Sequence, residues 1–177
     1  MDKCPVMISD QHIISVKDLE DLDKSIKVYV SRFDKLSKDS TKFEKISYSN
    51  FFDNKILISK SIRRGFPFDL FNKIRKVTPF SEDDWSEYLN LSKKTLQRHQ
   101  KDSNFLFKPI HTEKIIEIAE VTKFGTEVFD SVEKFYLWLQ TPSIALGSLK
   151  PFELLKDSYG KELVMSELNR IDQGIFA

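Results

Sequence analysis

Between Ser92 and Lys101 the chain carries four cations, Lys93, Lys94, Arg98 and Lys101, and no acid. Thr95, Gln97, Arg98 and His99 add hydrogen-bond donors and acceptors within the same two and a half turns of a would-be helix. That chemistry is recognition of a duplex. Arginine suits guanine, glutamine suits adenine, and lysines neutralise backbone phosphate. Ser92 is placed to cap the helix, and Leu96 is left to face a core.

Catalytic chemistry has no comparable constellation. His12, His99 and His111 are scattered, and none falls at a metal-ligand spacing. The five glycines are isolated, so no phosphate-cradling loop is present. The single cysteine, Cys4, can form no internal disulfide and has no neighbour that would activate its thiolate. Neither a metal, nor a cofactor, nor an enzymatic activity is expected. A reducing cytoplasm is the setting this cysteine usage predicts. No apolar run approaches the ~18 residues of a membrane helix, and the N-terminus has no signal-like core.

The elements that position the basic stretch can be read on either side of it. Phe68, Phe71, Ile74 and Val77 give one helical face, ending near Pro79. Ser81 caps a second helix, with Glu82, Asp83 and Asp84 in its first turn, where the helix dipole favours anions. Trp85 and Leu89 bury one side of it. Asn90-Leu91-Ser92 is a turn, and the basic helix follows. Two short helices joined by three turn residues, the second basic, make a helix-turn-helix. A long helix spans 109–129, with Pro109 at its start and Gly125 able to bend or break it. Asp130 is expected to cap the next helix, with Glu133 completing a capping box.

The last third, from Phe135, reads as two more helices around a proline-bracketed connection. Pro142 closes the first and Leu146-Gly147 marks a turn. Pro151 opens a short helix that buries Phe152, Leu154 and Leu155. Asp157 caps a final helix on which Val164, Leu168 and Ile171 recur at intervals of four and three. Those three suit either a core face or a contact face. Gly174 stops the helix, and Ile175, Phe176 and Ala177 extend past it.

Taken together, these positions resemble the Xre/MbcA/ParS toxin-binding antitoxin family, from roughly Gly65 to Ala177. In the C-terminal segment the matching residues are Trp138-Leu139, Pro142, Leu146-Gly147, Pro151, Leu154-Leu155, Gly160, Val164, Leu168, Ile171 and Gly174. In the basic helix they are Leu91-Ser92, Thr95-Leu96 and Arg98. Ser148 stands where the family usually has a second glycine, Asp157 where it often has threonine, and His99 where a second arginine is common. The resemblance implies an antitoxin of a type II toxin-antitoxin pair. Its partners would be operator DNA and a cognate toxin of the RES type, an NAD-consuming enzyme whose active site the antitoxin occludes. The implied DNA contacts are Ser92, Lys93, Lys94, Thr95, Gln97, Arg98, His99 and Lys101. The implied toxin contacts are Gly147, Gly160, Val164, Leu168, Ile171, Gly174, Ile175, Phe176 and Ala177. A homodimer and a toxin-antitoxin hetero-oligomer are implied with them. The alternative is a helix-turn-helix regulator whose C-terminal helices only dimerise.

Charge follows the same division. Residues 62–110 carry 10 Lys+Arg against 6 Asp+Glu, and residues 111–177 carry 7 against 11. A basic middle and an acidic end suit a DNA-contacting segment followed by a protein-contacting one. Residues 1–61 are nearly balanced, at 11 against 10, which predicts packing in preference to DNA contact. Leu19, Leu22, Ile26, Tyr29, Phe33 and Leu36 form a helical stripe there, for the chain's own core or for a dimer axis. Residues 37–45 read as a polar linker. Ile56 and Ile58 leave open a short strand or a helix start. The expected fold is all-α: an extension over 1–61, a helix-turn-helix bundle over 62–110 and a small helical toxin-binding domain over 111–177.

Overall fold

The computed structural model describes residues 15–34 and 46–175, and every regular element in them is helical. In chain order these are α1 (Val16–Asp34), α2 (Tyr48–Phe51), α3 (Lys55–Arg64), α4 (Phe68–Lys76) and α5 (Glu82–Tyr88). They continue with α6 (Lys93–Gln100), α7 (Pro109–Phe129) and α8 (Val132–Gln140). A 3-10 turn over Ile144–Leu146 precedes α9 (Pro151–Leu154) and α10 (Ser158–Asp172). Residues 46–60, where strand and helix were both open, are helical, because Ser47 and Asn54 each accept a backbone N–H at a helix start.

The core is assembled around α7. Its buried residues, Thr112, Ile115, Ile116, Ile118, Ala119, Val121, Thr122 and Gly125, occupy more than half of the helix circumference, wider than the single stripe of a surface helix. That width is used by three neighbours: α3, α8 and α10 all pack on it. Gly125 does not break the helix, which runs unbroken from Pro109 to Phe129. A β-carbon there would lie 2.1 Å from the Phe135 ring, so the glycine admits α8 at close range. The expected cap on α8 is displaced by one residue. Ser131 accepts the Lys134 N–H at 3.3 Å, while Asp130 (φ 53°) closes α7 in the left-handed conformation that a short polar side chain tolerates.

The N-terminal stripe packs inward. Leu22, Ile26, Tyr29 and Val30 are buried as α1 lies against α2 and α4. Leu19 stays 40 % exposed, and the side chains of Phe33 and Leu36 lie outside the described residues. Tyr29 and Val30, good strand formers, are held in helix by this burial, while Val28 faces outward. The Tyr29 hydroxyl donates to the carbonyls of Ser61 and Gly65 at 3.2 and 3.0 Å, capping the end of α3, and burial pushes its pKa up to about 12.

An ion triad ties the extension to the last helix across α7. Glu120 on α7 receives Lys55 of α3 at 2.9 Å and Lys161 of α10 at 2.7 Å. Burial opposes the Glu120 charge, but the hydrogen bonds from Lys161 and Lys55 outweigh it and lower the carboxyl pKa. A lowered folded-state pKa adds stability above the unfolded value, lost as pH falls through the folded one. Glu120→Gln is therefore expected to be less stable than the parent at pH 7. In urea titrations that gap should close on acidification below the ordinary glutamate range; a gap that widens would contradict the assignment.

Candidate DNA-reading and toxin-binding faces

The helix-turn-helix is built from two short helices whose ends are chemically closed. Ser81 and Asp84 form a reciprocal capping box at the start of α5. Its far end is a Schellman closure: the Leu91 N–H donates to Ser86 O and the Asn90 N–H to Glu87 O, both at 3.0 Å. Asn90 supplies the left-handed residue, at φ 50°. Ser92 then caps α6, accepting the Thr95 N–H at 3.1 Å. The chain thus turns sharply and α6 is held by α5, α4 and the buried Leu96.

That anchoring sorts the predicted DNA contacts. The Ser92 hydroxyl is engaged as a cap and shares a 2.9 Å hydrogen bond with Thr95, which is half-buried. Lys93 pairs with Asp83 at the start of α5. His99 stacks on Phe105, ring centroids 3.7 Å apart, and burial followed by the Arg98 charge lowers its pKa, favouring neutral imidazole. Lys94, Gln97, Arg98 and Lys101 remain, all exposed and without a polar or ionic side-chain partner among the described residues. They lie at i, i+3, i+4 and i+7, which is one face of one helix. That face has three cations and one amide, ready for phosphate and base edges.

The C-terminal unit is closed in the same way. Gly147 has φ 69°, and Ser148, in a position where glycine would be unstrained, has φ 62°. Asp157 caps α10 by accepting the Gly160 N–H at 2.8 Å. Gly160 is buried because α9 passes directly over it; a β-carbon there would stand 2.0 Å from the Leu154 carbonyl oxygen. At the far end the Gly174 and Ile175 N–H groups close a second Schellman motif on Ile171 and Arg170.

Val164 and Leu168 require a correction as surface contacts. Both are fully buried in the chain's own core, so in this conformation they support α10 and touch no partner directly. Ile171 is half-buried, and Ile175 is 49 % exposed; Phe176 and Ala177 lie outside the described residues. The sequence reading missed the apolar groups that do face outward. Tyr159 (83 % exposed) and Leu163 (54 %) stand one turn apart on α10, and Ile144 (88 %) lies on the 3-10 turn that packs against α10. Leu137 and Leu149 are also exposed. Leu163 precedes the stripe position Val164 by one residue and Tyr159 lies one turn before Leu163, a signal that could have separated outer from inner face.

The two faces are joined by direct contacts. The Tyr88 hydroxyl on α5 donates to the Phe152 carbonyl on α9 at 3.1 Å, and Lys156 pairs with Glu87 at 2.7 Å. Phe80 packs edge-on against Tyr88 at 5.3 Å and contacts Phe152 at 6.0 Å. Lys114 of α7 adds a hydrogen bond to Leu155 O at 3.2 Å. Among the described residues no three His, Cys, Asp or Glu side chains converge as metal ligands would, and no helix is long and apolar enough to cross a membrane.

A capped helix-turn-helix with an open cationic face, packed on a helical unit with outward apolar groups, defines a DNA-binding protein with a second, protein-binding surface. Residues 58–120 match the antitoxin Xre-like helix-turn-helix domain, and residues 125–174 match the antitoxin Xre/MbcA/ParS C-terminal toxin-binding domain. The chain belongs to the Xre/MbcA/ParS antitoxin family: it is an antitoxin of a toxin-antitoxin system. No curated protein matches it.

Two glycines give a test of the C-terminal geometry. Gly147→Ala meets no atom within 4 Å and incurs only left-handed backbone strain, about 1–2 kcal/mol. Gly160→Ala must push α9 off α10 and should lower the thermal midpoint considerably further. Equal midpoints for the two variants would contradict the close α9–α10 approach.

Proposed function

We propose that the protein represses its own operon through α6 and neutralises a RES-type, NAD-consuming toxin through α10 and the residues after it. Residues 62–110 act as the DNA-reading unit and residues 111–177 as the toxin-binding unit. The observation that carries this reading is the pairing, on one chain, of the open Lys94–Gln97–Arg98–Lys101 face with a toxin-binding domain whose last helix presents Tyr159 and Leu163, with Ile175 exposed just beyond it. A single helix-turn-helix contacts few base pairs, so two copies binding as a homodimer on a palindromic operator would suit this face, with half-sites about one helical turn apart. The net acidity of residues 111–177 complements a basic cleft. Gly174, Ile175, Phe176 and Ala177 enter that cleft, while Val164, Leu168 and Gly160 hold the helix that aims them. Gly147 sets the turn before α9.

Arg98→Ala removes the guanidinium suited to a bidentate contact with guanine. It is expected to weaken operator binding by about 1–3 kcal/mol, or ~5- to 150-fold, in a gel-shift titration at fixed salt. The same variant should still rescue cells from the co-expressed toxin. Unchanged operator affinity would remove α6 from the reading.

The converse variant tests the other face. Tyr159→Ala with Leu163→Ala should leave operator binding intact and reduce toxin affinity, since buried aromatic anchors typically contribute more than about 2 kcal/mol, ~30-fold. Full rescue of growth by that double variant, or by a chain lacking Ile175 to Ala177, would show that toxin contact lies elsewhere. Full rescue by both, with loss of dimer on light scattering, would favour a regulator whose C-terminal helices only dimerise.

A further inference from the structure

The near-neutral charge of residues 1–61 conceals a one-sided helix. Lys24, Val28 and Arg32, each four residues apart, line one wall of a groove of about 390 Å³ between α1 and α4. The opposite wall brings Asp69 and Lys73 from α4 and Ser103 from the loop after α6. The groove lining thus carries three cations and one carboxylate, set around the apolar side chains of Val28, Tyr29 and Leu70. Lys24 is paired with Asp21 at 3.5 Å, and Lys73 with Asp69 at 3.4 Å and the Ser25 hydroxyl. Both are neighbour pairs along a single helix, a kind worth a few tenths of a kcal/mol at a surface, so either lysine can exchange partners at little cost. The Arg32 guanidinium has no acidic partner among the described residues.

The groove's position gives those cations a use. The open face of α6 ends at Lys101, and Ser103, two residues on, is already in the groove wall. The loop that carries Ser103 is fixed further along to the entry of α4 by the Phe107 N–H on Phe66 O, at 2.8 Å, and by the Pro67–Leu106 bridge. The α6 face and the groove are therefore parts of one rigid surface. A duplex read by α6 that runs on past its C-terminal end meets this groove as the next positive feature.

We propose that the α1–α4 groove grips the phosphate backbone flanking the base pairs that α6 reads, so that the N-terminal extension enlarges the DNA footprint. The proposal rests on the DNA-reading role of α6. An acidic protein segment is the competing occupant, and the same experiment separates the two.

The test uses the full chain carrying Lys24→Ala and Arg32→Ala, with Lys73 left in place to hold Ser25. Binding is titrated across a range of KCl on two 30-bp duplexes, one from the DNA upstream of its reading frame and one scrambled. Each lost phosphate contact flattens the slope of log K against log salt by about 0.9, so the double variant should lose about 1.8. Its affinity should fall by about 10- to 60-fold near 0.1 M salt, and by the same factor on both duplexes. Lys24→Arg with Arg32→Lys retains both charges and should retain the slope. An unchanged slope in the alanine variant, with Arg98→Ala losing its preference for the upstream duplex, would overturn the groove and leave α6 standing. If Arg98→Ala behaves as the parent on both duplexes, the α6 reading falls and the groove's placement falls with it. An unchanged slope together with lost rescue from the co-expressed toxin would assign the groove to a protein and overturn the proposal.

Discussion

The constraint on which this fold depends is that one helix must bury side chains toward several neighbours at once. α7 presents Ile115, Ile116, Ile118, Ala119 and Val121 over more than half of its surface, and no single neighbour could cover them. The chain satisfies the demand by laying α3 on it from one side in sequence and α8 and α10 from the other. Each of those covers brings a binding element with it. α3 leads directly into α4 and the helix-turn-helix, and α10 carries the apolar outer row. The Lys55–Glu120–Lys161 triad marks where the two covers meet. Partly screened pairs of this kind add modest stability, but they fix the relative placement of three helices.

The same economy appears at α5. Its N-terminal turn is acidic, which suits a helix start, and Asp83 holds Lys93 at the head of α6. Its C-terminal turn carries Glu87 and Tyr88, which hold α9 through Lys156 and the Phe152 carbonyl. One seven-residue helix therefore touches both α6 and the C-terminal helical unit. The Tyr88 hydroxyl is buried, and desolvation, with Asp84 next in effect, keeps it protonated well above the ordinary tyrosine range. This link is a neutral, pH-insensitive hydrogen bond under physiological conditions.

Much of the architecture was legible because it rests on local chemistry. Ser81, Ser92, Asp157, Pro109, Pro151, Gly147 and Gly174 are caps and stops whose geometry follows from backbone hydrogen bonding within a few residues. The α8 cap was displaced by one position because Asp130 and Ser131 are both good capping residues, and only the left-handed closure of α7 decides between them. Val164 and Leu168 were ambiguous in sequence, since an apolar stripe has the same period whether it faces a core or a partner. Burial against the chain's own helices decides that, and it is a non-local property. Tyr159 and Leu163 were hidden for the same reason. The charge on α6 was readable as a total, but which side chains stay unengaged depended on Asp83, which holds Lys93, and Phe105, which stacks on His99, residues brought near by the fold.

The central claim is that DNA and toxin engage different faces built on one α7 scaffold. Amide hydrogen exchange on the full-length antitoxin, alone, with duplex DNA from its own promoter region and with its co-purified toxin, tests it most directly. The account predicts that DNA slows exchange in peptides covering α6 and the loop over residues 101–108. It predicts that toxin slows exchange in α10 and the residues beyond it. Toxin protection concentrated on α6, with α10 and the C-terminal residues unchanged, would contradict it.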